Sequence, residues 1–406
     1  MDGLTDSKVN TIPTTKKTDE EKKGNSEIVP TKVKYGKFLN TNIYSLPDEL
    51  VFDILVHLPA QDIYSAVMTV CFKWYKIIHT HTFVNTHLHR STYGLLIQNR
   101  VSQTTQLTFM ALSRQGRVEL TRLNYEPKYK IWFNSSCNGL ILEWDFKIQS
   151  GFYITNPATM QQFSLPPFFG PMCFIHSALA YASVSMEYKV VIVFRQENEC
   201  SCAILTVGVD ESWRPIRTQH LSLQSKKLLI YNPLTTEGFV HWASGGNYVL
   251  TLNVETEIIT EYSVPSLSSG SYHYYSAVKY LTLLIEFRGW YWEVWEMKPE
   301  TGEWTKLPGI EIHDLKDRKG QILGWIGNRD TKFKSSGSSS IIVRSVGWLK
   351  YKEVLLFKVY SPDMSLAHRF CYAWNVRTEE IQFIELDSNV HPFLVHRHSL
   401  VWLDGC

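Results

Sequence analysis

Hydrophobic positions along this chain follow two different periods, and the change falls near residue 90. Between residues 45 and 80, apolar side chains recur at the spacing of helix turns, which predicts short amphipathic helices. From about Tyr93 onward, short apolar or alternating runs such as YGLLIQN, KVVIVF and YWEVWEM are separated by turn residues. Runs of this kind are typical of antiparallel strands. The pattern predicts an α+β multidomain chain in which a small helical unit precedes a large all-β domain.

A weak repeat runs through the β region. In each copy a strand ends in Asn or Lys, a short turn containing Thr follows, and a second strand returns. The clear copies are residues 153–166, 251–265, 295–308 and 373–386, and residues 206–218 form a looser copy. With the looser copy included, the turns near residues 156, 209, 253 and 298 lie about 44–53 residues apart, a period typical of β-propeller blades. We predict a propeller-like domain of about six blades; five or seven blades, or a β-sandwich, are the alternatives.

The C-terminal segment is predicted to close the ring of propeller blades. An open propeller would leave unpaired sheet edges, which invite association with other chains. The terminal run SLVWL, residues 399–403, is therefore expected to pair with strands of the first blade near residues 93–123.

The helical stretch contains three predicted helices. Ser45 and Asp48 have the spacing of an N-terminal capping box, and Pro59 is expected to end the first helix near Leu58. Its main apolar stripe comprises Leu50, Val51, Ile54, Leu55 and Leu58, and a second stripe comprises Phe52 and Val56. The second helix has a stripe of Ile63, Ala66, Val67, Val70 and Cys71, with Tyr64 and Met68 outside it. A third short helix includes Trp74, Ile77 and Ile78.

So small a bundle cannot bury all of these side chains by itself. About 40 residues form a marginal core with one buried stripe per helix. The remaining apolar side chains must pack on the β domain of this chain or be covered by a partner protein, because burying each is worth roughly 1.5–3 kcal/mol.

The stretch LPDELVFDILVHLPAQDIYSAVMTVCFKWYKII resembles an F-box. The matching positions are Leu46, Pro47, Glu49, Leu50, Ile54, Leu55, Leu58, Pro59, Val70, Cys71 and Trp74. Phe72, between Cys71 and Lys73, is the one departure from the pattern. The resemblance implies that these residues, together with Val67, bind a Skp-family adaptor and, through it, the cullin and RING protein of a ubiquitin ligase.

The β region resembles the F-box-associated domain of plant F-box proteins, a kelch-like propeller domain. The likeness is specific at three segments, which are SCNGLILEW, FYITNPATMQQFSLP and HRHSLVWL. We therefore interpret residues 41–85 as the F-box and residues 93–406 as a target-recognition domain. Residues 1–40, which are polar and nearly free of aromatic residues, are predicted to be a disordered tail.

Composition excludes several other functions. A formal net charge of +2 gives no bulk electrostatic footprint for nucleic acid. No apolar run approaches the ~18 residues of a membrane helix, and the N-terminus has no secretory signal. The cysteine count of 7 is odd and the spacing irregular, which fits a reducing compartment, the nucleus or cytoplasm.

Few residues suggest chemistry. Four histidines lie between His79 and His89, where a zinc site is conceivable, but we expect a polar linker there. Cys200 and Cys202 share a strand face, and we expect no metal or redox role for them. The chain has no nucleophile-elbow, phosphate-loop or zinc-protease motif, so neither catalysis nor a cofactor is expected. The alternative to a recognition subunit is a propeller enzyme or small-ligand receptor whose F-box controls its own turnover.

Two loops are candidates for the target site. The apolar, Pro-rich loop at residues 165–174 contains Phe168, Phe169 and Met172, which have no alternation that would bury them. The polar segment at residues 327–340 contains Arg329 and Lys332. Connecting loops vary without disturbing strand packing, so we expect the target, a protein, to bind them on one face of the propeller. The alternative is that Phe168 and Phe169 pack inside the protein.

Overall fold

The structure is a computed structural model. It describes residues 46–101, 104–125, 131–145, 151–169, 173–196, 199–265, 270–287, 291–311, 320–322, 324–325, 342–360, 370–386 and 390–402. Contacts join residues 47–406 into one unit. The predicted tail, Ser45, Met172, Arg329 and Lys332 lie outside the described residues.

The N-terminal part of this unit is helical. The helices are α1 (Asp48–Leu55), α2 (Ala60–Ser65), a 3₁₀ turn (Val67–Thr69), α3 (Phe72–Ile78) and α4 (His81–Arg90). The first helix ends at Leu55, earlier than predicted, because the amides of His57 and Leu58 bond to the carbonyls three residues back and tighten the last turn before Pro59. Pro47 is the N-cap residue of α1, without a side-chain cap.

The fourth helix corrects the prediction of a polar linker. The Thr80 side chain caps α4 by accepting a hydrogen bond from the amide of Phe83 at 3.2 Å. The buried face of α4 consists of Phe83, Val84, His87 and Leu88. The stripe was missed because a histidine occupies one of its positions and polar residues surround it.

The β domain consists of 24 strands in the described ranges. In chain order they are β1 (Tyr93–Val101), β2 (Thr104–Leu112), β3 (Val118–Arg122), β4 (Ile131–Cys137), β5 (Leu140–Asp145), β6 (Gly151–Asn156), β7 (Gln161–Ser164), β8 (Cys173–Ala182), β9 (Glu187–Gln196), β10 (Glu199–Thr206), β11 (Arg214–Ile216), β12 (Leu234–Thr236), β13 (Phe239–Ala243), β14 (Tyr248–Asn253), β15 (Ile258–Ser263), β16 (Ser271–Ala277), β17 (Tyr280–Phe287), β18 (Tyr291–Met297), β19 (Trp304–Glu311), β20 (Ile342–Lys350), β21 (Val354–Tyr360), β22 (Phe370–Asn375), β23 (Ile381–Glu385) and β24 (Val390–Arg397). A short helix, α5 (Leu223–Lys226), precedes β12.

These strands form six antiparallel four-stranded sheets over the described residues, which confirms the six-bladed propeller. Blades 2 to 6 are built from consecutive strands, β4–β7, β8–β11, β12–β15, β16–β19 and β20–β23. Blade 1 has the order β24-β1-β2-β3. Buried apolar clusters fill the spaces between neighbouring blades, as Leu142, Ile154 and Leu179 do between blades 2 and 3.

The sequence repeat is the hairpin of the third and fourth strands in each blade. Asn156, Asn253 and Asn375 end third strands, and their side-chain oxygens accept hydrogen bonds from backbone amides two residues on, at 2.9 Å in each case. This Asx geometry pre-forms the turn, which explains why Asn recurs there. Blade 1 has an equivalent hairpin that the sequence repeat did not reveal, because Ser113 stands there in place of Asn. Its hydroxyl accepts a hydrogen bond from the amide of Arg117, four residues on, at 3.2 Å.

Closure is made by the C-terminal part of the chain, but by a different strand from the one predicted. β24 pairs with β1, with Leu95 opposite Val395 and Ile97 opposite Phe393. The run SLVWL is not a strand over its described residues. Leu400 and Val401 are instead buried, with Val401 in the cluster that includes Val84 and Leu88 of α4. The assignment failed because a short apolar run fits both a strand and a buried extended segment.

Candidate functional site

The first helix buries one side and exposes another. Val51, Leu55 and Val56 are buried, whereas Leu50 and Ile54 are 50% and 54% exposed. The predicted division into stripes is therefore wrong. The second stripe is covered within the chain, with the Phe52 ring 5.2 Å from Phe83 of α4.

The third helix and the residues before it add three exposed apolar side chains. Val70 is 40%, Phe72 70% and Tyr75 42% exposed. A salt bridge of 2.8 Å between Lys73 and Asp48 joins α3 to the start of α1. We call the five side chains of Leu50, Ile54, Val70, Phe72 and Tyr75 the exposed apolar face. Large apolar side chains that two contacting helices leave exposed are typical of a binding site, since burying each is worth roughly 1.5–3 kcal/mol.

The predicted adaptor-binding residues divide by burial. The exposed ones are Pro47, Glu49, Leu50, Ile54, Pro59 and Val70. The half-buried ones are Leu46, Leu58, Val67 and Cys71, and the buried ones are Leu55 and Trp74. Leu55 and Trp74 thus form the core that supports the face. Phe72 and Tyr75 were not predicted, although Phe72 was visible as the departure from the F-box pattern.

The three segments that resemble the F-box-associated family meet at one place in the structure. Asn138 and Gly139 form the tight turn between β4 and β5, with φ of 51° and 87°. The Ser399 hydroxyl donates to the Asn138 carbonyl at 2.5 Å. The Asn156 side chain donates to the carbonyls of Ser399 and Val401, at 3.1 and 2.8 Å. We call residues 397–402 the clasp. This segment contains the third motif, and the other two motifs, both in blade 2, hold it by these hydrogen bonds.

Arg397 ties the clasp to the helices. Its guanidinium donates to the carbonyl of Leu88, in the last turn of α4, and to the side-chain oxygen of Asn138, at 3.2 and 2.6 Å. The same group lies 4.7 Å from the centre of the Tyr93 ring. The C-terminal end of a helix favours a cation, so the Leu88 carbonyl and the Tyr93 ring both help to compensate this buried arginine.

The histidines of the helical region have separate environments. The His87 ring nitrogen lies 2.9 Å from the Leu58 carbonyl, and His79 stacks on Trp402 with ring centres 4.4 Å apart. His81 contacts Asn85 at 3.3 Å, and His89 is exposed. Over the described residues, no three His, Cys, Asp or Glu side chains converge as metal ligands would.

Three histidines lie near the contact between α4 and the end of β24, of which His87 and His396 are buried and His398 is half-buried. His396 lies 2.7 Å from the Ser136 hydroxyl, and the ring centres of His398 and Phe109 are 4.2 Å apart. Burial lowers the pKa of His87, lowers that of His396 well below its ordinary value, and lowers that of His398 to about 4. These groups stay neutral when folded, and the unfolded chain protonates them in mild acid.

We expect acid to cost the wild-type protein more stability than the variant His398→Phe, which keeps a ring beside Phe109. A lowered folded pKa means that stability is full above the unfolded value of 6.5 and falls as the pH drops toward 4. From pH 7.5 to 5 this group alone costs about 2 kcal/mol. Melting temperatures across this range test it. Burial raises the pKa of Glu143 to about 7, so its contribution to stability increases as the pH falls. This contribution is the same in wild type and in the variant, so it does not affect the comparison.

The control is His89→Phe, the same change at an exposed position of α4. It should leave the pH dependence of melting as in wild type. Equal pH dependence of wild type and His398→Phe would show that His398 does not carry the acid sensitivity.

Two cavities open at the propeller end that faces the helices. One of about 570 Å³ lies between α4 and the strand turns, with His79, Asn85, Glu237, Arg397 and Trp402 among its lining residues. A neighbouring cavity of about 590 Å³ is lined by turns of blades 1, 5 and 6. Volumes of this size suit small ligands.

The predicted target loop lies at the other end of the propeller. Strands of a blade alternate in direction, so the hairpins that contact the helices share one end, and loops between blades lie at the opposite end. Phe168 packs against Phe194 and Trp213, with ring centres 5.0 and 5.8 Å away, so for this residue the alternative of packing inside the protein holds. Phe169 is 88% exposed. Trp213 supports the loop by donating to the Pro166 carbonyl at 2.9 Å.

Two family models match the chain at the places where the geometry divides it. A model described as F-box-like matches residues 43–90, and one described as F-box associated beta propeller domain matches residues 95–280. The chain carries an F-box-like domain followed by an F-box-associated β-propeller domain. The F-box match includes all of α1 to α4, and the propeller match extends from β1 into β17. The plant origin that the resemblance suggests stays a prediction.

Other comparisons add little. No curated protein matches the chain. TolB from Acinetobacter baumannii is 8% identical with a TM-score of 0.39, over 75% of this chain and 66% of that one. A puromycin-hydrolyzing peptidase from Mycobacterium tuberculosis is 8% identical with a TM-score of 0.35, over 72% and 53%. The chain thus spans less than two thirds of both, and likenesses this weak carry no argument about function.

The described helices were compared with the requirements for a membrane-spanning helix. None of them has the length and apolar content needed to cross a bilayer.

Proposed function

We propose that this protein is the target-recognition subunit of a Skp–cullin–F-box ubiquitin ligase. The observation that carries the proposal is the exposed apolar face, which the F-box presents while its own core is filled by Leu55 and Trp74. A Skp-family adaptor is the partner that F-box domains generally bind. Through the adaptor, the cullin and RING protein would join the complex, in the nucleus or cytoplasm.

In this proposal the protein performs no chemistry of its own. The F-box region, residues 41–85, binds the adaptor, and the propeller region, residues 93–406, binds a target protein. Holding both in one complex raises the effective concentration of target lysines near the charged ubiquitin-conjugating enzyme. Neither a cofactor nor a nucleic acid is needed.

We propose that the target binds the propeller end opposite the helices. That end remains free when the adaptor covers the F-box. Phe169 is an exposed aromatic side chain on a loop anchored by Phe168 and Trp213, and rigidly supported aromatic residues are frequent binding anchors. Met172, Arg329 and Lys332, which lie outside the described residues, are proposed as further contacts.

We expect target capture to depend on Phe169. The bait is the full chain with its exposed apolar face disabled, so that bound targets are not degraded, and captured proteins are quantified by mass spectrometry. Phe169→Ser should reduce capture of the specific targets about tenfold or more, since a buried aromatic anchor is worth ~2 kcal/mol. The control is Val184→Ser, an 82% exposed apolar residue in the β8–β9 turn at the helix end.

Phe168→Ser provides the second comparison. Because Phe168 is packed, this variant should lower the melting temperature, whereas Phe169→Ser should not. Undiminished capture by Phe169→Ser would place the target site elsewhere.

The alternative function is a propeller enzyme or small-ligand receptor whose F-box serves its own turnover, and the cavity beside α4 favours it. The two functions differ in cells. A recognition subunit predicts that captured proteins accumulate when this protein is lost. Stable levels of every captured protein would favour the alternative.

A further inference from the structure

Four aromatic side chains form a continuous stack from the exposed apolar face to the end of the propeller. The ring centres of Phe72 and Tyr75 are 6.4 Å apart, those of Tyr75 and His79 are 3.9 Å apart, and those of His79 and Trp402 are 4.4 Å apart. Tyr64 of α2 flanks the stack, 6.2 Å from Trp402. We call Phe72, Tyr75, His79 and Trp402 the ring ladder. It joins residues separated by more than 300 positions in sequence.

His79 is the central member of the ladder. It is the C-cap residue of α3, and its ring nitrogen Nδ1 lies 2.8 Å from the Tyr75 carbonyl. Its ring is nearly parallel to that of Trp402, at 14°, and tilted by 31° from that of Tyr75. The His79 ring, at the end of α3, is thereby contacted by Tyr75 on one side and by Trp402 on the other.

Trp402 is itself fixed by the propeller. It directly follows Val401, whose carbonyl accepts the Asn156 side chain and whose side chain is buried. Ser399 and Arg397 of the same clasp are bonded to Asn138. Blade 2 therefore helps to fix the backbone that leads to Trp402, through contacts that do not involve α3.

We propose that Trp402 is a positioning residue for adaptor binding, acting through His79 to hold Tyr75 and the end of α3. Tyr75 is only half covered, so without the stack its ring and the helix end would sample other conformations. Ordering them on binding costs affinity, and the ladder removes that cost in advance. The inference rests on the proposed function, because it names a further determinant of the same adaptor interface. It also implies that the F-box depends on the propeller for full affinity.

The test measures the affinity of the full chain for a purified Skp-family adaptor by calorimetry. Trp402→Ala should weaken binding about three- to tenfold, the range that a single aromatic pair supplies. The control is Trp304→Ala in β19, which removes a partly buried tryptophan of blade 5 whose indole donates to Ser263. It should leave adaptor affinity as in wild type.

A second pair of variants avoids the clasp altogether. His79→Ala breaks the ladder without altering residues 397–402, whereas His79→Phe keeps a ring in place. We expect His79→Ala to weaken adaptor binding to the same extent as Trp402→Ala, and His79→Phe to restore it. Hydrogen exchange of the amides from Tyr75 to Thr80 should speed up in both Ala variants. A role confined to stability would lower melting temperatures and leave the affinity of the folded protein unchanged.

The outcomes separate the inference from the proposed function. If the wild-type chain binds no Skp-family adaptor, the proposed function is wrong. If the wild-type chain binds the adaptor, and both His79→Ala and Trp402→Ala bind it with the wild-type affinity, the adaptor role stands and the positioning role of Trp402 is wrong.

Discussion

The double variant Ile54→Gln/Phe72→Gln should lose adaptor binding almost completely while the propeller stays folded. Ile54 and Phe72 are 54% and 70% exposed, so neither is needed for the core of the helical unit. Two apolar anchors at the centre of an interface contribute about 2 kcal/mol each, and the affinity should fall at least about a hundredfold. Glutamine is tolerated in a helix, so α1 and α3 should form as before.

Adaptor affinity and the melting temperature are measured on the same preparations. The matched control is Val209→Gln/Ile258→Gln, which places the same change at two exposed apolar residues of the propeller. Val209 lies in the turn between β10 and β11 and is 59% exposed, and Ile258 is the first residue of β15 and is 57% exposed. The control should bind like wild type. Full affinity in the Ile54→Gln/Phe72→Gln variant would refute the role assigned to the exposed apolar face.

Deleting residues 390–406 should unfold the propeller cooperatively and not merely fray its end. The deletion removes β24, so β1 becomes an unpaired edge and blade 1 loses its first strand. It also removes the clasp, which contributes Val401 to the cluster shared by blades 2 and 3 and α4. We expect loss of the main melting transition. A propeller that melts at the wild-type temperature without these residues would contradict closure by β24.

A pair of glycine variants tests the clasp without shortening the chain. Gly139→Ala places a Cβ atom 2.2 Å from the Ser399 hydroxyl, at a φ of +87°. Gly116→Ala has nearly the same backbone conformation, φ of +77°, but no atom lies within 4 Å of the new Cβ. Both pay the left-handed strain of roughly 1–2 kcal/mol. Only Gly139→Ala displaces Ser399, so its melting temperature should fall by at least about twice as much as that of Gly116→Ala.

The described geometry gives the family motifs a physical role. The Asn138–Gly139 turn, Asn156 and the clasp contact one another, so a change in one segment disturbs the seating of the others. These motifs therefore secure closure and the position of the helices, and they say little about the target. The target site has to be sought on loops that the motifs do not include.

Adaptor binding by the assigned residues stays a prediction. Two of them, Leu50 and Ile54, are exposed, as that role requires. Sequence reasoning left burial open where it depends on a distant segment. Phe52 and Val56 look available in the sequence, but Val56 is buried and Phe52 packs against Phe83 of α4. Phe168 and Phe169 are adjacent and chemically identical, yet Phe168 packs against Phe194 and Trp213 while Phe169 is exposed to solvent.

The sequence by itself determined the helix-to-strand division, the repeated hairpins and the F-box pattern. Each of these is a local property, written in the period of apolar residues or in a side chain that bonds to its own turn, as Asn253 does. Tertiary structure decided which strand closes the ring, which face of the F-box remains open and how Trp402 reaches α3. Those outcomes depend on contacts between segments that can lie more than 300 residues apart, such as His79 with Trp402. Packing selects among such contacts by shape and buried area, and local periodicity contains neither.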